Sequence, residues 1–337
     1  MNKEQIKRSL KIREELNEGK RRFVMDREIE QTKTQDYSFK QFSFQLHVMA
    51  QEGLGTMSDA YIMFAICLMG VCDLRTITTF LSNLKQRNPE LVIMDTSLAD
   101  NLRSRIRQLR DKGLLYTIGF AVPNWSGEAY ENANELRLFT PTRDTINFVN
   151  KKLNKRISHN EMIQAMPSND LVGWASATYV GATMASSKYF DCYLDRVFRN
   201  MKLGSIYLPM ELRFNRDDDR YYVAVMKGYM VRDERIQTED DFKDYVAYTL
   251  NSIRQYIQYR TRKGTACVVI SVMDNKDLVT MGRYIKNAQV LDECLPYIFF
   301  TGEGPVNMER HLKDAFLQLQ YNDDAIEFVP AQPVFID

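Results

Sequence analysis

DTSLADNLRSRIRQLRDKGLLYTI, residues 95–118, runs from a helix start through an apolar stripe to a glycine and a strand. Leu98, Leu102, Ile106 and Leu109 recur at spacings of four, four and three, one face of an α-helix. Asp95, Thr96 and Ser97 are candidate N-caps, and Gly113 is a C-terminal stop. The other positions carry Asn101, Arg103, Ser104, Arg105, Arg107, Gln108 and Arg110. Guanidinium forks match phosphates and the guanine edge, and Asn and Gln match adenine, so this face suits a DNA major groove. The plainer reading is a solvated basic face on a structural helix. At ~100° per residue the four arginines cannot share one direction. Arg107 lies most nearly opposite the apolar stripe, with Arg103 next. Arg105 lies closest to the stripe and Arg110 flanks it, which suits those two to salt bridges or DNA-backbone contacts.

The flanking segments give the helix a context. Met57 to Gly70 is apolar almost all round and reads as a buried helix. A second helix is expected from Asp73, a plausible N-cap, to Gln86, with Leu74, Ile77, Thr78, Leu81 and Leu84 on its stripe; Arg87-Asn88-Pro89 ends it. After the arginine helix, Leu114–Ala121 and Glu135–Thr140 are strand-like, separated by the polar loop PNWSGEAYENAN. Three helices followed by two strands and a long loop is the order of a winged helix, a helix-turn-helix relative whose third helix enters the major groove. Candidate DNA contacts are Asn101, Arg103, Ser104, Arg107, Gln108, Arg110 and Lys112, with Asn124, Trp125 and Asn132 in the loop that would be the wing. A helix Arg143–Leu153 follows, and Lys151, Lys152, Lys155 and Arg156 are either further phosphate contacts or a solvated linker.

Residues 1–35, with ten basic and seven acidic side chains, read as a charged helical arm, and residues 36–54 as a link with a strand near Phe39–Val48. The second half alternates between helix and strand. Helices are expected at Lys188–Lys202, Glu239–Arg260, Lys276–Asn287 and Glu309–Gln320. Strands are expected at Ser205–Phe214, Arg220–Tyr229, Thr265–Met273 and Leu295–Thr301, with an extended tail. The continuous apolar run TACVVISVM is that of a central strand covered on both faces. The tyrosine-rich helix from 245 to 259 reads as core or dimer surface before base-stacking platform. The fold class is therefore mixed α/β. The expected organisation is a charged arm and link (1–55), a winged-helix domain (56–155), a linker (156–170) and an α/β domain (171–337).

Composition limits the chemistry. The 337 residues carry 45 basic and 44 acidic side chains, so any nucleic-acid binding must come from local patches. Five cysteines lack CxxC spacing and three histidines stand far apart, so no metal site is legible and buried thiols in a reducing cytoplasm are expected. The longest apolar run, Ala60–Cys72, is too short to span a bilayer, and the charged N-terminal stretch has no secretory pattern. No Walker loop or nucleophile motif is present. No catalytic residue and no cofactor are expected.

SLADNLRSRIRQLRDKGLLYTI, ELRLFTPT, the ELRF…YYVAVMKGYMV hairpin and the ACVVISV strand together resemble the replication-relaxation family of plasmid and mobile-element accessory proteins. The resemblance covers residues 56–301 at the level of element order. It implies a winged helix joined to a domain like a restriction-endonuclease core. Such a nuclease needs an Asp at one strand end and an acid-x-Lys on the next strand, to hold Mg²⁺ and polarise water. Here the segment is Val225-Met226-Lys227, with a valine at the acid position; Glu211 and Asp217–Asp219 are the displaced acids available. The expectation is a cytoplasmic, non-catalytic protein that binds double-stranded DNA in replication, mobilisation or transcription control of a plasmid, phage or integrative element. Further expected partners are a second copy of the chain and replication or mobilisation proteins, with no membrane. The alternatives are a metal-dependent nuclease using those displaced acids, and a scaffold whose winged helix contacts protein.

Overall fold

The computed structural model describes residues 30–33, 55–93, 99–122, 134–158, 168–185, 201–203, 206–216, 219–228, 239–272, 275–288, 295–308, 311–322, 325–333 and 335–336. Asp95–Leu98, the loop with Asn124, Trp125 and Asn132, the expected strand at Phe39–Val48, and Asp217 lie outside these residues. The architecture is mixed α/β. The described residues fall into two compact units, one within Arg27–Ser186 and the other within Ser187–Asp337.

In the first unit, α1 (Met57–Met69) is buried from Asp59 to Met69, as its all-round apolar sequence requires. Its N-cap, Thr56, forms a capping box with Asp59: Thr56 Oγ1 accepts from the Asp59 N–H, and Asp59 Oδ2 from the Thr56 N–H. Gly70, at φ 74°, ends the helix in a conformation that disfavours a Cβ. A two-residue strand, β2 (Cys72–Asp73), then pairs with Leu138 and Phe139 before α2 (Leu74–Arg87) begins. Asp73 is also the N-cap of α2, its Oδ1 accepting from the N–H and hydroxyl of Thr76. Thr76, Ile77, Phe80, Leu81 and Leu84 form the buried side of α2, so Thr76 and Phe80 replace Leu74 and Thr78 of the expected stripe.

Helix α3 (Ala99–Asp111) buries Leu102, Ile106 and Leu109. It ends in a Schellman motif: the Leu114 N–H donates to the Leu109 carbonyl and Gly113, at φ 73°, to that of Arg110. Strands β3 (Leu115–Val122) and β4 (Asn134–Pro141) pair antiparallel, from Leu115 opposite Pro141 to Val122 opposite Asn134. Among the described residues the sheet order is β1-β3-β4-β2, where β1 is Glu30–Lys33. That strand corrects the helical reading of residues 1–35 at its end, because pairing with Gly119–Ala121 supplies backbone partners that a thin helical stripe does not. Helix α4 (Arg143–Lys152), capped by Thr142, packs against α1.

Helix α5 (Ser168–Ala185), absent from the sequence reading, moves the expected boundary at 156–170 to Ser186/Ser187. Its partners lie in the first unit. Trp174 Nε1 donates to the Met69 carbonyl and Thr178 Oγ1 to that of Val71. Asn83 and Arg87 of α2 donate to the carbonyls of Ala182 and Ala185, which the helix end leaves without intrahelical donors.

The second unit is built on a sheet of order β12-β11-β10-β9-β8-β7 among the described residues. Strands β8 (Asp219–Lys227), β9 (Thr265–Ser271) and β10 (Ile298–Thr301) run parallel. Strands β7 (Met210–Arg216), β11 (Phe316–Asn322) and β12 (Ala325–Ala331) are antiparallel to their neighbours. The run TACVVIS is the covered central strand β9. Helices α6 (Glu239–Arg260) and α7 (Asn275–Ala288) contribute Leu250, Ile253, Tyr256, Leu278, Met281 and Ile285 to the core with Ala224, Val268 and Phe300. A second aromatic group packs Phe335 against Phe214, stacked at 5.2 Å, and edge-on to Phe299 at 5.8 Å.

Three expectations are corrected here. Glu309–Gln320 is a 3-10 turn (Leu312–Ala315) followed by β11, because Leu317 and Leu319 are buried while Gln320 is exposed, a period of two. The Lys188–Lys202 helix lies outside the described residues except at its end, where β5 (Met201–Leu203) pairs with β6 (Ile206–Leu208). The single strand expected at Ser205–Phe214 divides at Pro209, which has no N–H for a ladder. A short helix, α8 (Glu303–Met308), follows Gly302. Among the described residues no helix is long and apolar enough to cross a membrane.

At the sheet's edge Glu211 and Arg260 are both buried and form a two-pronged ion pair, Nε to Oε2 at 2.8 Å and Nη2 to Oε1 at 2.7 Å. Burial and then the Glu211 carboxylate push the Tyr256 hydroxyl well above its ordinary range. Burial also raises the Cys67 thiol, and that of Cys267 to about 12. Arg260→Met should destabilise the second unit by about 3–5 kcal/mol in urea unfolding, with Glu211→Met/Arg260→Met recovering most of it. Each raised group stays protonated in the fold and ionises first in the unfolded chain. Their stabilisation is therefore complete below about pH 9 and falls by about 1.4 kcal/mol per pH unit per group above its unfolded-state pKa, which denaturation across pH 8–11 checks.

Candidate nucleic-acid interface

With Leu102, Ile106 and Leu109 committed to the core, helical geometry turns the intervening positions outward. Asn101, Arg103, Ser104, Arg107 and Gln108 are all exposed on α3, while Arg105 and Arg110 are half-buried. Arg103 and Arg107 stand one turn apart, with Ser104 adjacent, as the rotation argument expects.

The arginines nearer the stripe have internal roles. Arg105 reaches α1, where Nη2 donates to Asp59 Oδ2 at 2.7 Å and Nε pairs with Oδ1. Asp59 is fully buried, and its Oδ2 also accepts from the Thr56 N–H and hydroxyl, so the carboxylate receives four hydrogen bonds. The third guanidinium nitrogen, Nη1, donates to Gln108 Oε1 at 3.0 Å. That contact fixes the Gln108 amide and occupies the oxygen a bidentate adenine contact requires; its NH₂ remains a donor. Arg110 turns to Asp111, with Nε and Nη2 at 2.9 and 2.7 Å from Oδ1. Lys112 sits in the turn after the helix, its N–H donating to the Gln108 carbonyl.

Asn124 and Trp125 lie outside the described residues. In the basic stretch after α4, Lys151, Lys152 and Arg156 are exposed, while the Lys155 ammonium lies 5.9 Å from the Phe64 ring centre. Asp59 is the site residue missed in the sequence. Its signal was the spacing Thr56-Met57-Ser58-Asp59, a capping box with Asp in place of the usual Glu or Gln.

The other candidate site does not assemble among the described residues. Val225 is buried within β8 at the position where acid-x-Lys needs a carboxylate. Both Glu211 oxygens are held by Arg260. Asp219 pairs with Arg216 at the hairpin, eight residues and roughly 26 Å along the strand from Lys227. Among the described residues no group of three or more His, Cys, Asp or Glu side chains is placed to hold a metal ion. Compared with known protein families, curated proteins and solved structures, the chain matches none.

Asp59→Ala removes the α1 capping box and leaves Arg105 without its carboxylate, and should cost about 3 kcal/mol in thermal or urea unfolding. Arg105→Ala should cost a comparable amount by stranding a buried charge. A loss below about 0.5 kcal/mol for both would show that the pair does not hold α1 to α3.

Proposed function

We propose that α1, α2, α3 and the β3–β4 pair form a winged helix that binds duplex DNA through α3. The observation that carries this reading is the outer face of α3, where Asn101, Arg103, Ser104 and Arg107 are exposed on a helix anchored at its core side by Asp59–Arg105. Such a face combines forked donors for phosphate or guanine with short polar side chains for base edges. Lys151, Lys152 and Arg156 are available for additional phosphate contacts. Arg105 is held by the buried Asp59 and Arg110 by its surface neighbour Asp111, so the reading rests on Arg103 and Arg107.

At the level of process, the protein is an accessory or regulatory factor of a plasmid, phage or integrative element, acting in replication, mobilisation or transcription control. The resemblance to the replication-relaxation family supports this level of the reading. The α/β unit serves contact with a partner or a second copy, a role in line with the engagement of Glu211 by Arg260.

The test is gel-shift titration on duplex DNA, including the DNA upstream of the coding sequence, across a range of salt. Wild-type binding should weaken steeply with salt. Arg103→Ala/Arg107→Ala should bind far more weakly, with a log–log salt slope shallower by about 2 and an unaltered melting temperature. Wild-type affinity and slope in that variant would remove α3 as the DNA contact.

A further inference from the structure

The outer face of α6 has no role in the proposed DNA contact. Its inner face, Leu250, Ile253, Tyr256, Ile257 and Arg260, is buried in the second unit. On the opposite side Tyr248, Asn251, Gln255 and Tyr259 recur at spacings of three, four and four, all exposed. Tyr248 and Tyr259 are 50% and 43% exposed, large for aromatic side chains on a helix whose other face is core. Aromatic residues in such a position are the composition of an interface centre.

Charge is sorted along this helix. Its sequence opens with Glu239, Asp240, Asp241 and Asp244, with Lys243 as the one base among them. From position 245 to 263 there is no acid, and Arg254, Arg262 and Lys263 are exposed. Arg260, the fourth cation there, is neutralised internally by Glu211. The sequence of this segment therefore runs from an acidic start to a basic end, in the same sense as the helix dipole requires for its own stability.

We infer that this face binds the same face of a second copy of the chain, with the two α6 helices antiparallel about a two-fold axis near Asn251. A two-fold contact is self-complementary, since residue i meets j and j meets i. With the axis at 251, positions 239 and 240 of one helix come level with 263 and 262 in the turn just past the other helix, and Tyr248 comes beside Arg254 of the other copy. Acid meets base at both ends, and the middle pairs tyrosine rings with guanidinium groups. A parallel arrangement would set like charges together. A nucleic-acid strand along the same face would meet favourable charge at one end and repulsion at the other. The inference does not depend on the DNA reading.

The experiment is sedimentation equilibrium of the full chain over concentrations up to about 100 µM. Wild type should show a concentration-dependent dimer that weakens with salt. Asp240→Lys/Asp241→Lys and Arg262→Asp/Lys263→Asp should each weaken it by at least about tenfold. An equimolar mixture of the two variants should restore heterodimers, and all four substitutions in one chain should restore the homodimer. Should the acidic-end variant melt early, because new cations oppose the helix dipole, Tyr248→Ser/Tyr259→Ser tests the same face and should be monomeric. A monomeric wild type, a dimer indifferent to every one of these changes, or a four-change chain that stays monomeric would overturn the inference. So would a monomer whose 262/263 variant instead loses nucleic-acid affinity, which would assign the face to nucleic acid.

Discussion

A buried carboxylate gripped by an arginine from a distant helix recurs in both units and fixes how their elements meet. In the first unit Asp59 is closed off from water and answered by Arg105, 46 residues later. In the second Glu211 is answered by Arg260, 49 residues later. Neither pair is a large net source of stability, since desolvating two charges offsets most of their attraction. Their effect is directional. An ionised carboxylate in a core tolerates one arrangement of donors, so α3 has one allowed position on α1 and the end of α6 one allowed position on β7. Apolar contacts such as Ile106 against its neighbours would accept a small rotation, whereas a two-pronged guanidinium contact would not.

Elements whose own periodicity agrees with their surroundings were legible in the chain. The stripe Leu102, Ile106, Leu109 and the stop at Gly113 define α3. Glu239–Arg260 was bounded correctly because acids stand at its start and an arginine at its end. β9 was legible because a seven-residue apolar run cannot be half exposed. Helical rotation alone separates Arg103 and Arg107 from Arg105 and Arg110.

What escaped the sequence depended on contacts distant along the chain. HLKDAFLQ contains good helix formers, and alternation emerges only from Phe316 onward, where pairing with β12 makes the segment a strand. Glu30–Lys33 carries no strand signal of its own and is extended because β3 offers an open edge. α5 carries no stripe because it is apolar all round, and Trp174 and Thr178 find their acceptors more than 100 residues away. Asp59 looked like one more acid in a helix start, although it is the residue that orients α3.

The site itself was therefore half legible: which side of α3 faces outward could be read, but not how many of its cations remain there. Four arginines in eight residues, Arg103 to Arg110, suggest a strongly basic helix. Folding assigns Arg105 to Asp59 and Arg110 to Asp111, so two of the four charges are already balanced by neighbouring acids. The same holds for Arg260 in α6, which adds nothing to the basic end of that helix. In a chain whose total charge nearly cancels, surface potential depends on which ions are left after the internal pairs are made. Counting arginines along the chain therefore overstates the field at α3, so a phosphate interaction there must draw on geometry and on neighbouring cations such as Lys151 and Lys152 more than on one dense patch.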